Sequence, residues 1–219
     1  MKRNLELEST KYNYITLNSR ELCDFELIVN GGFSPLVGFM TRDDYLGCVN
    51  NMRLKSGKLW AMPITLSINE KKMNELKHSD YVVLKHETGL PLGLMNIKNE
   101  GCIYEYDLKK ECENVYGSYD LNHPYVKILE DNYKEGRVYY IGGEIELWKL
   151  PPHYDFMDNR LTPKETIEYF RKNSWSKIVG FQTRNPMHRS HYELTKYALN
   201  VAGPDSRLFL NPVVGITQD

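Results

Sequence analysis

The sequence predicts an α+β, strand-rich domain over residues 1–150, followed by the start of an α/β domain over residues 151–219. Short apolar runs separated by glycines and charged turns fill the first part, as is typical of a compact domain rich in strands. These runs are Trp60–Ile68, Tyr81–Lys85, Leu92–Ile97 and Val138–Ile141. After Leu150 the pattern changes to helix, strand, helix, strand. Pro151-Pro152 gives a stiff linker at this change.

Three further segments of the first part are predicted to have structural roles. Residues 32–40 read as a turn-rich connection whose apolar side chains enter the core; these are Phe33, Leu36 and Phe39. The lysines and glutamates of residues 70–77 form the solvated face of a helix. His123-Pro124 is interpreted as a structural turn rather than as a ligand.

The second part begins with a helix that carries its own start signal. Thr162 and Glu165 have the spacing of a capping box, and Pro163 stands at the first helical position. The helix is predicted to run to about Lys172 and to stop at Asn173. The polar segment before it is predicted to lie on the surface.

A βαβ unit is predicted next. It consists of strand Lys177–Phe181, helix Pro186–Val201 and strand Arg207–Leu210. A parallel sheet needs cover on both faces, and only about two strands are present. We therefore expect this part to be poorly supported by itself.

The helix of this unit is predicted to begin at Pro186, with Asn185 as its N-cap, because these residues are favoured at those positions. Its apolar side is predicted to pack against a core, and Gly203-Pro204 ends it. The residues of this side are Leu194, Ala198 and Val201. A helix fixed in this way would hold its first turn firmly.

His188 and His191 are three residues apart and would share one face of that first turn. The turn also has backbone N–H groups without intrahelical acceptors, which favour an anion. Arg184 adds a guanidinium, so the pattern indicates a pocket for a polyphosphate and a second oxyanion. Two alternatives stay open: an ordinary pair of surface histidines, or a zinc site, although the H-E-x-x-H form is absent.

Composition narrows the classes of function. A formal net charge of −1 gives no basic field that would attract nucleic acid or an anionic membrane. No apolar run has the length of a membrane span, and no secretory segment follows the first residues, so the expected compartment is the cytoplasm. The four cysteines lack C-x-x-C spacing and are predicted to be reduced structural thiols.

The stretch Gln182–His191 resembles the signature of the ATP sulfurylases, also called sulfate adenylyltransferases. The resemblance runs from about residue 20 to the end of the chain. It includes Gly32–Met40, Asp44-Tyr45, Met52–Leu54, Trp60, Pro63–Leu66, Tyr116-Gly117, His123-Pro124 and Gly142-Gly143. It implies a PUA-like amino-terminal domain followed by the start of a Rossmann-like nucleotidyltransferase domain.

The resemblance also implies the reaction of MgATP with sulfate to give adenosine 5′-phosphosulfate and pyrophosphate, in sulfate assimilation. Gln182 and Arg184 would hold sulfate, Thr183 and Asn185 would orient the ATP phosphates, and the two histidines would donate hydrogen bonds to them. The implied catalytic residues are Thr183, Arg184, Asn185, His188 and His191, and together with Gln182 they would contact ATP. Mg²⁺ would come with ATP, no protein-bound metal is predicted, and the full-length protein would be a homo-oligomer without nucleic-acid or membrane partners.

The chain departs from the family pattern in three places. Asn211-Pro212 stands where a histidine-proline pair is usual, and Gln218, beside Thr217, replaces a usual lysine. The family's G-R-D-H motif is not found before Asp219, so the chain is expected to be truncated within the catalytic domain. Its own activity is left open. The alternatives are a catalytically incomplete fragment or regulatory protein with this fold, and an RNA-binding PUA-like module.

Overall fold

The computed structural model describes residues 8–213. The chain divides into two compact units, Met1–Met157 and Asp158–Asp219, called the first and second unit below. The replacement of a lysine by Gln218 falls outside the described residues. No helix among the described residues combines the length and the apolar character needed to cross a membrane.

Two sheets form the frame of the first unit. A five-stranded sheet has the order β1-β4-β5-β8-β2, in which β1 and β4 are parallel and the other pairs antiparallel. A three-stranded antiparallel sheet has the order β3-β7-β6. The strands are β1 Tyr14–Thr16, β2 Gly38–Phe39, β3 Leu66–Ile68, β4 Tyr81–Lys85, β5 Pro91–Asn96, β6 Ile103–Glu105, β7 Tyr139–Ile141 and β8 Gly143–Leu147.

Helices cover these sheets, and all but the one that starts at Arg42 have a side-chain cap at their amino end. They are α1 Ser19–Val29, α2 Arg42–Asn51, α3 Glu70–Leu76, α4 Leu108–Tyr116 and α5 Pro124–Lys134. Asn18 and Glu21 form a capping box at α1, and Asp107 caps α4. His123 caps α5 by accepting from the N–H of Val126 at 3.4 Å, with proline next to it. His123-Pro124, which was predicted to be a turn, is thus the start of a helix.

The predicted strands of the first unit are mostly present, but the run from Trp60 forms a strand only over Leu66–Ile68. Residues 70–77 form the predicted solvated helix, in which Leu76 alone is buried. The pattern of apolar and polar residues did not predict α1, α2, α4 and α5. In each of these helices only a few side chains are buried and most of the others are polar or charged; in α4 the buried ones are Leu108, Glu111 and Cys112. The apolar residues therefore show only a weak helical periodicity in the sequence.

Close backbone contact explains two glycines at the edge of the larger sheet. A Cβ on Gly38 would lie 1.7 Å from the carbonyl oxygen of Gly143, and one on Gly142 would lie 2.1 Å from that of Met40. No side chain fits at these distances. The connection at residues 32–40 also buries Leu36 and Phe39 as predicted, while the half-buried Phe33 packs edge-on against Trp60.

A carboxylate stands in the middle of the core of the first unit. Glu111 is 1% exposed, and its Oε2 accepts hydrogen bonds from the hydroxyls of Tyr45 at 2.9 Å and Tyr140 at 3.0 Å. Tyr106 stacks on the Tyr140 ring with centroids 3.8 Å apart. The contacts join α2, α4 and the smaller sheet. Burial raises the pKa of Glu111 to about 7, although the two tyrosine hydrogen bonds act in the opposite direction.

The second unit contains the βαβ arrangement that the sequence predicted. Its elements are α6 Pro163–Lys172, β9 Lys177–Thr183, α7 Arg189–Ala202 and β10 Ser206–Pro212. Thr162 and Glu165 form the predicted capping box of α6. The two strands are parallel, with register from Ser206 against Lys177 to Pro212 against Thr183.

The two helices of the second unit cover opposite faces of the strand pair. On α6, Phe170 packs against Phe209 of β10 with ring centroids 5.5 Å apart. On the other side, Ser206 donates to the carbonyl of Leu199 in α7 at 3.0 Å. Residues 206 and 209 point to opposite faces because side chains alternate along a strand. Each face of the pair therefore has its own helix.

Of the three residues of α7 predicted to pack against a core, two do not do so. Leu194 is 54% exposed and Val201 70% exposed, Ala198 is half-buried, and the buried residue of the helix is Thr195. Two strands give the helix too narrow a surface to cover its whole apolar side. The buried residues in the described part of this unit are Thr195 and Ser206, which agrees with the weak support expected from the sequence.

We predict that Glu111 makes the stability of the first unit depend on pH. Its folded pKa of about 7 lies above the usual 4.5, so the unfolded chain releases this proton first as the pH rises. Its contribution to the free energy of unfolding should therefore be complete below about pH 4.5 and should fall by about 3 kcal/mol by pH 7. Glu111→Gln, which cannot ionise, should flatten this decline in denaturant unfolding at a series of pH values.

Glu113→Gln is the matched control for that measurement. Glu113 lies on the same helix but is exposed, and it pairs with Lys109 at 3.7 Å. Its replacement should leave the pH profile of the wild type unchanged. Parallel profiles for the wild type and Glu111→Gln would contradict the role given to Glu111.

Candidate active site

The carboxyl end of β9 leads into a bend held by a side chain. The Thr183 hydroxyl donates to the carbonyl of Asn185 at 2.8 Å and accepts from its N–H at 3.2 Å. A threonine that bonds the backbone two residues on offers the chain an alternative to helix. The bend therefore fixes Arg184 and Asn185 directly after the strand.

The helix that follows begins later than the sequence predicted. It starts at Arg189, and its N-cap is His188 with extended backbone at φ −112° and ψ 176°. The prediction of a start at Pro186 with Asn185 as the N-cap is wrong. The backbone of Asn185 is engaged by Thr183, so the local preference for capping at Asn185-Pro186 is overridden.

The two predicted histidines nevertheless lie together. The rings of His188 and His191 have centroids 3.9 Å apart and are tilted by 33°. Nδ1 of His188 shares a hydrogen bond with the hydroxyl of Ser190 at 2.9 Å, and the ring of Phe181 lies 5.7 Å from that of His191. Nδ1 of His191 is buried and has no hydrogen-bond partner among the described residues. Buried polar atoms are normally paired, so this atom points to a missing partner.

The partial positive charge at the amino end of α7 is not neutralised by residues of the helix itself. No side chain caps it, and its first turn carries no acidic residue. The first N–H groups of a helix have no acceptor inside the helix, and the helix dipole puts partial positive charge there. An anion placed at this end would find backbone donors and the histidine pair together.

Gln182 lies on the other face of the strand. Thr183 belongs to the face covered by α7, and Gln182, one residue before it, points to the face covered by α6. Arg184 is exposed at the bend that follows both. Of the predicted site residues, Thr183 contacts Asn185, and His188 lies against His191. Gln182 lies on the opposite face of the strand from the histidines.

Sequence reasoning missed Ser190 and Phe181 as neighbours of the histidines. The hydroxyl at residue 190 reaches back to an N-cap that was predicted three residues too early. Phe181 was counted as a strand residue, but the face to which its side chain points follows only from the strand pairing. Within residues 8–213, no group of three histidine, cysteine, aspartate or glutamate side chains is arranged to hold a metal ion.

Comparison with known protein families gives two matches that follow each other along the chain. Residues 1–150 match the PUA-like domain, and residues 157–219 match the ATP-sulfurylase model. The second match contains β9, α7 and β10, and with them all the predicted site residues.

Curated relatives carry one common name. The chain is 44% identical over 217 residues to the sulfate adenylyltransferase of Gibberella zeae, matching 98% of this chain and 36% of the relative. It is 42% identical over 224 residues to that of Debaryomyces hansenii, with 97% and 41% covered. For Schizosaccharomyces pombe the identity is 40% over 220 residues, with 100% and 43% covered. The chain therefore spans about two fifths of the length of these relatives.

A solved structure is similar over most of the chain. It is described as a hexameric APS kinase from Thiobacillus denitrificans. The TM-score is 0.72 at 25% sequence identity, and the match covers 94% of this chain and 35% of that one.

Ser190→Ala should loosen the His188 ring, because the substitution removes the partner of Nδ1. A hydrogen bond of this kind is worth about 1 kcal/mol, which corresponds to roughly fivefold in binding. With pyrophosphate as a probe anion, and the histidine ring signals in NMR as the readout, we expect binding to this helix end to weaken by about that factor. Ser190→Thr keeps the hydroxyl and should restore binding.

Ser118→Ala, at an exposed serine of the first unit, serves as the control and should bind pyrophosphate as the wild type does. If Ser190→Ala also bound pyrophosphate like the wild type, the Ser190 contact would have no role in holding the ring.

Proposed function

The chain belongs to the PUA-like domain family over residues 1–150 and is homologous to sulfate adenylyltransferases along nearly its whole length, and from this we propose that it is a nucleotidyltransferase of that kind. The proposed reaction joins ATP and sulfate to give adenosine 5′-phosphosulfate and pyrophosphate, in sulfate activation. Because the relatives are more than twice as long, this activity is proposed for the protein to which these residues belong.

One observation carries the proposal at the level of the site. The uncapped amino end of α7 lies beside two histidine rings, one of which holds a buried nitrogen without a partner among the described residues. A polyphosphate supplies the acceptors that such an arrangement lacks. Thr183 and Asn185, which form the bend before the helix, would orient the phosphates there.

Charge dominates the chemistry of this reaction. A sulfate oxygen attacks the α-phosphorus, the bond from that phosphorus to the bridging oxygen breaks, and pyrophosphate leaves with the electron pair. Sulfate is a weak nucleophile with two negative charges, so the site must bring two anions together and stabilise the charge that moves to the leaving group. Positioning and electrostatics provide this, and no side-chain nucleophile is needed.

Arg184 is proposed as the main charge partner of sulfate, with Gln182 as a neutral donor. Arginine presents several N–H groups in a rigid plane that matches an oxyanion. His188 would act on the phosphates through Nε2. A hydrogen bond donated by Ser190 to Nδ1 leaves the ring proton on Nε2, where it can be donated to a phosphate oxygen.

Mg²⁺ is proposed to arrive with ATP. The ion would neutralise part of the phosphate charge while Arg184 and the helix end hold the anions. A homo-oligomer is also proposed; the similar solved protein is described as hexameric, and the second unit exposes large apolar side chains such as Tyr197, at 67%.

The proposal is tested by ATP formation from adenosine 5′-phosphosulfate and pyrophosphate, using the purified 219-residue chain after circular dichroism has shown that it is folded. Sustained ATP production would support a complete catalytic function in this chain. A folded chain that binds pyrophosphate but forms no ATP would favour the second candidate, a catalytically incomplete protein with the same fold.

Arg184→Ala should weaken sulfate binding by about tenfold or more, because a charge-assisted hydrogen bond is worth about 1.5–3 kcal/mol. ATP binding should change by no more than about twofold, since the helix end and the histidines remain. Calorimetric titration with each ligand measures both values. Arg171→Ala, at an exposed position of α6, is the control and should bind both ligands normally. Equal losses for sulfate and ATP would refute the proposed division of roles.

A further inference from the structure

Asn211 is placed beside Gln182 by the register of the two parallel strands of the second unit. In that register Asn211 pairs with Gln182, and Pro212 pairs with Thr183. Residues paired across neighbouring strands lie about 5 Å apart and point their side chains to the same face. Two primary amides therefore stand next to each other at the carboxyl edge of the strand pair.

The face that carries this amide pair is the one covered by α6. Further back on the same face, Phe209 packs against Phe170, and the guanidinium of Arg207 lies 6.0 Å from the ring of Trp175. This cover does not extend to the edge, where both amides are exposed. Gly180 precedes Gln182 on this face, and a Cβ added there would meet nothing within 4 Å. The surface in front of the amides is therefore open.

The hydrogen-bonding capacity of the amide pair is unused within the described residues. Neither Gln182 nor Asn211 has a side-chain partner there, although each amide carries two N–H donors. The bend that bears Arg184 follows immediately on β9. Two neutral donors next to an arginine suit a small anion with several oxygens, because each donor can take a different oxygen.

The opposite face of the same edge has a different chemistry. There Pro212 pairs with Thr183 and contributes no side-chain donor, and the amino end of α7 with its histidines is the feature that favours an anion. The edge of β9 thus separates two kinds of anion site. The α6 side offers neutral amide donors, and the α7 side offers a helix end.

We propose that Asn211 is a further binding residue for the tetrahedral oxyanion, which it holds together with Gln182 and Arg184 on the α6 side of the strand edge. This inference rests on the proposed function for the identity of the oxyanion as sulfate. The polyphosphate is received on the α7 side, so the strand end keeps the two anions apart until they are aligned. Asn211 contributes to the affinity for the oxyanion and not to that for the polyphosphate.

Side-chain amide signals in NMR provide a direct test with the full 219-residue chain. Sodium sulfate is titrated into the protein, and sodium chloride at equal ionic strength is the reference. The NH₂ signals of Asn211 and Gln182 should shift with one common dissociation constant. Shifts confined to other residues, or equal shifts with chloride, would overturn the inference.

Three variants separate the role of Asn211 from general effects. Asn211→Ala should weaken sulfate binding by about fivefold, the value of one hydrogen bond. Asn211→Asp puts a negative charge beside the anion and should weaken sulfate binding much more than Asn211→Ala does. Asn200→Ala, at an exposed asparagine of α7, should have no effect. Pyrophosphate affinity should stay at the wild-type value in the two neutral variants, Asn211→Ala and Asn200→Ala, which also shows that the helix end is intact.

Failure of this inference is distinguishable from failure of the proposed function. If the wild type forms no ATP but its two amides still respond to sulfate, this chain is catalytically incomplete and the oxyanion site at the amides is supported. The opposite case is that the wild type forms ATP from adenosine 5′-phosphosulfate and pyrophosphate, while Asn211→Ala binds sulfate as tightly as the wild type. The proposed function would then be supported, and the role proposed for Asn211 would be refuted.

Discussion

The parallel pairing of β9 with β10 is the constraint on which the second unit and its site depend. It requires a crossover, which α7 supplies, and it brings the carboxyl ends of both strands to one edge. The bend at Thr183, the start of α7 and the amide of Asn211 all lie at that edge because of this pairing. A shift of one residue in register would move Asn211 from the face of Gln182 to that of Thr183.

The two units differ in how they are stabilised. The first has an extended apolar core and can hold a buried carboxylate, Glu111, at the cost of a raised pKa, because two tyrosine hydroxyls donate to it. The second buries only Thr195 and Ser206 among its described residues and exposes much of the apolar side of α7. Its local geometry comes from caps, the Thr183 bend and the strand pairing more than from apolar burial.

The site follows from local backbone chemistry. Thr183 occupies the N–H and carbonyl of Asn185, so the helix starts later and its first N–H groups lie beside the histidine pair without a side-chain cap. The proposed polyphosphate site is at this helix end, while the amides of Gln182 and Asn211 lie on the other face of the strand pair. The proposed transfer between two anions suits an edge that has separate donors on its two faces.

The sequence by itself determined the order of elements in the second unit, the cap of α6 and the end of α7 at Gly203, because these depend on neighbours close along the chain. The later start of α7 is also local, because the side chain of Thr183 engages the backbone of Asn185 two residues on and outcompetes the asparagine cap. Tertiary structure decided the exposure of Leu194 and Val201, which depends on how many strands are available to cover them. It also decided that Asn211 stands beside Gln182. Strand register is set by contacts between distant segments, so no local pattern of residues could reveal that pairing.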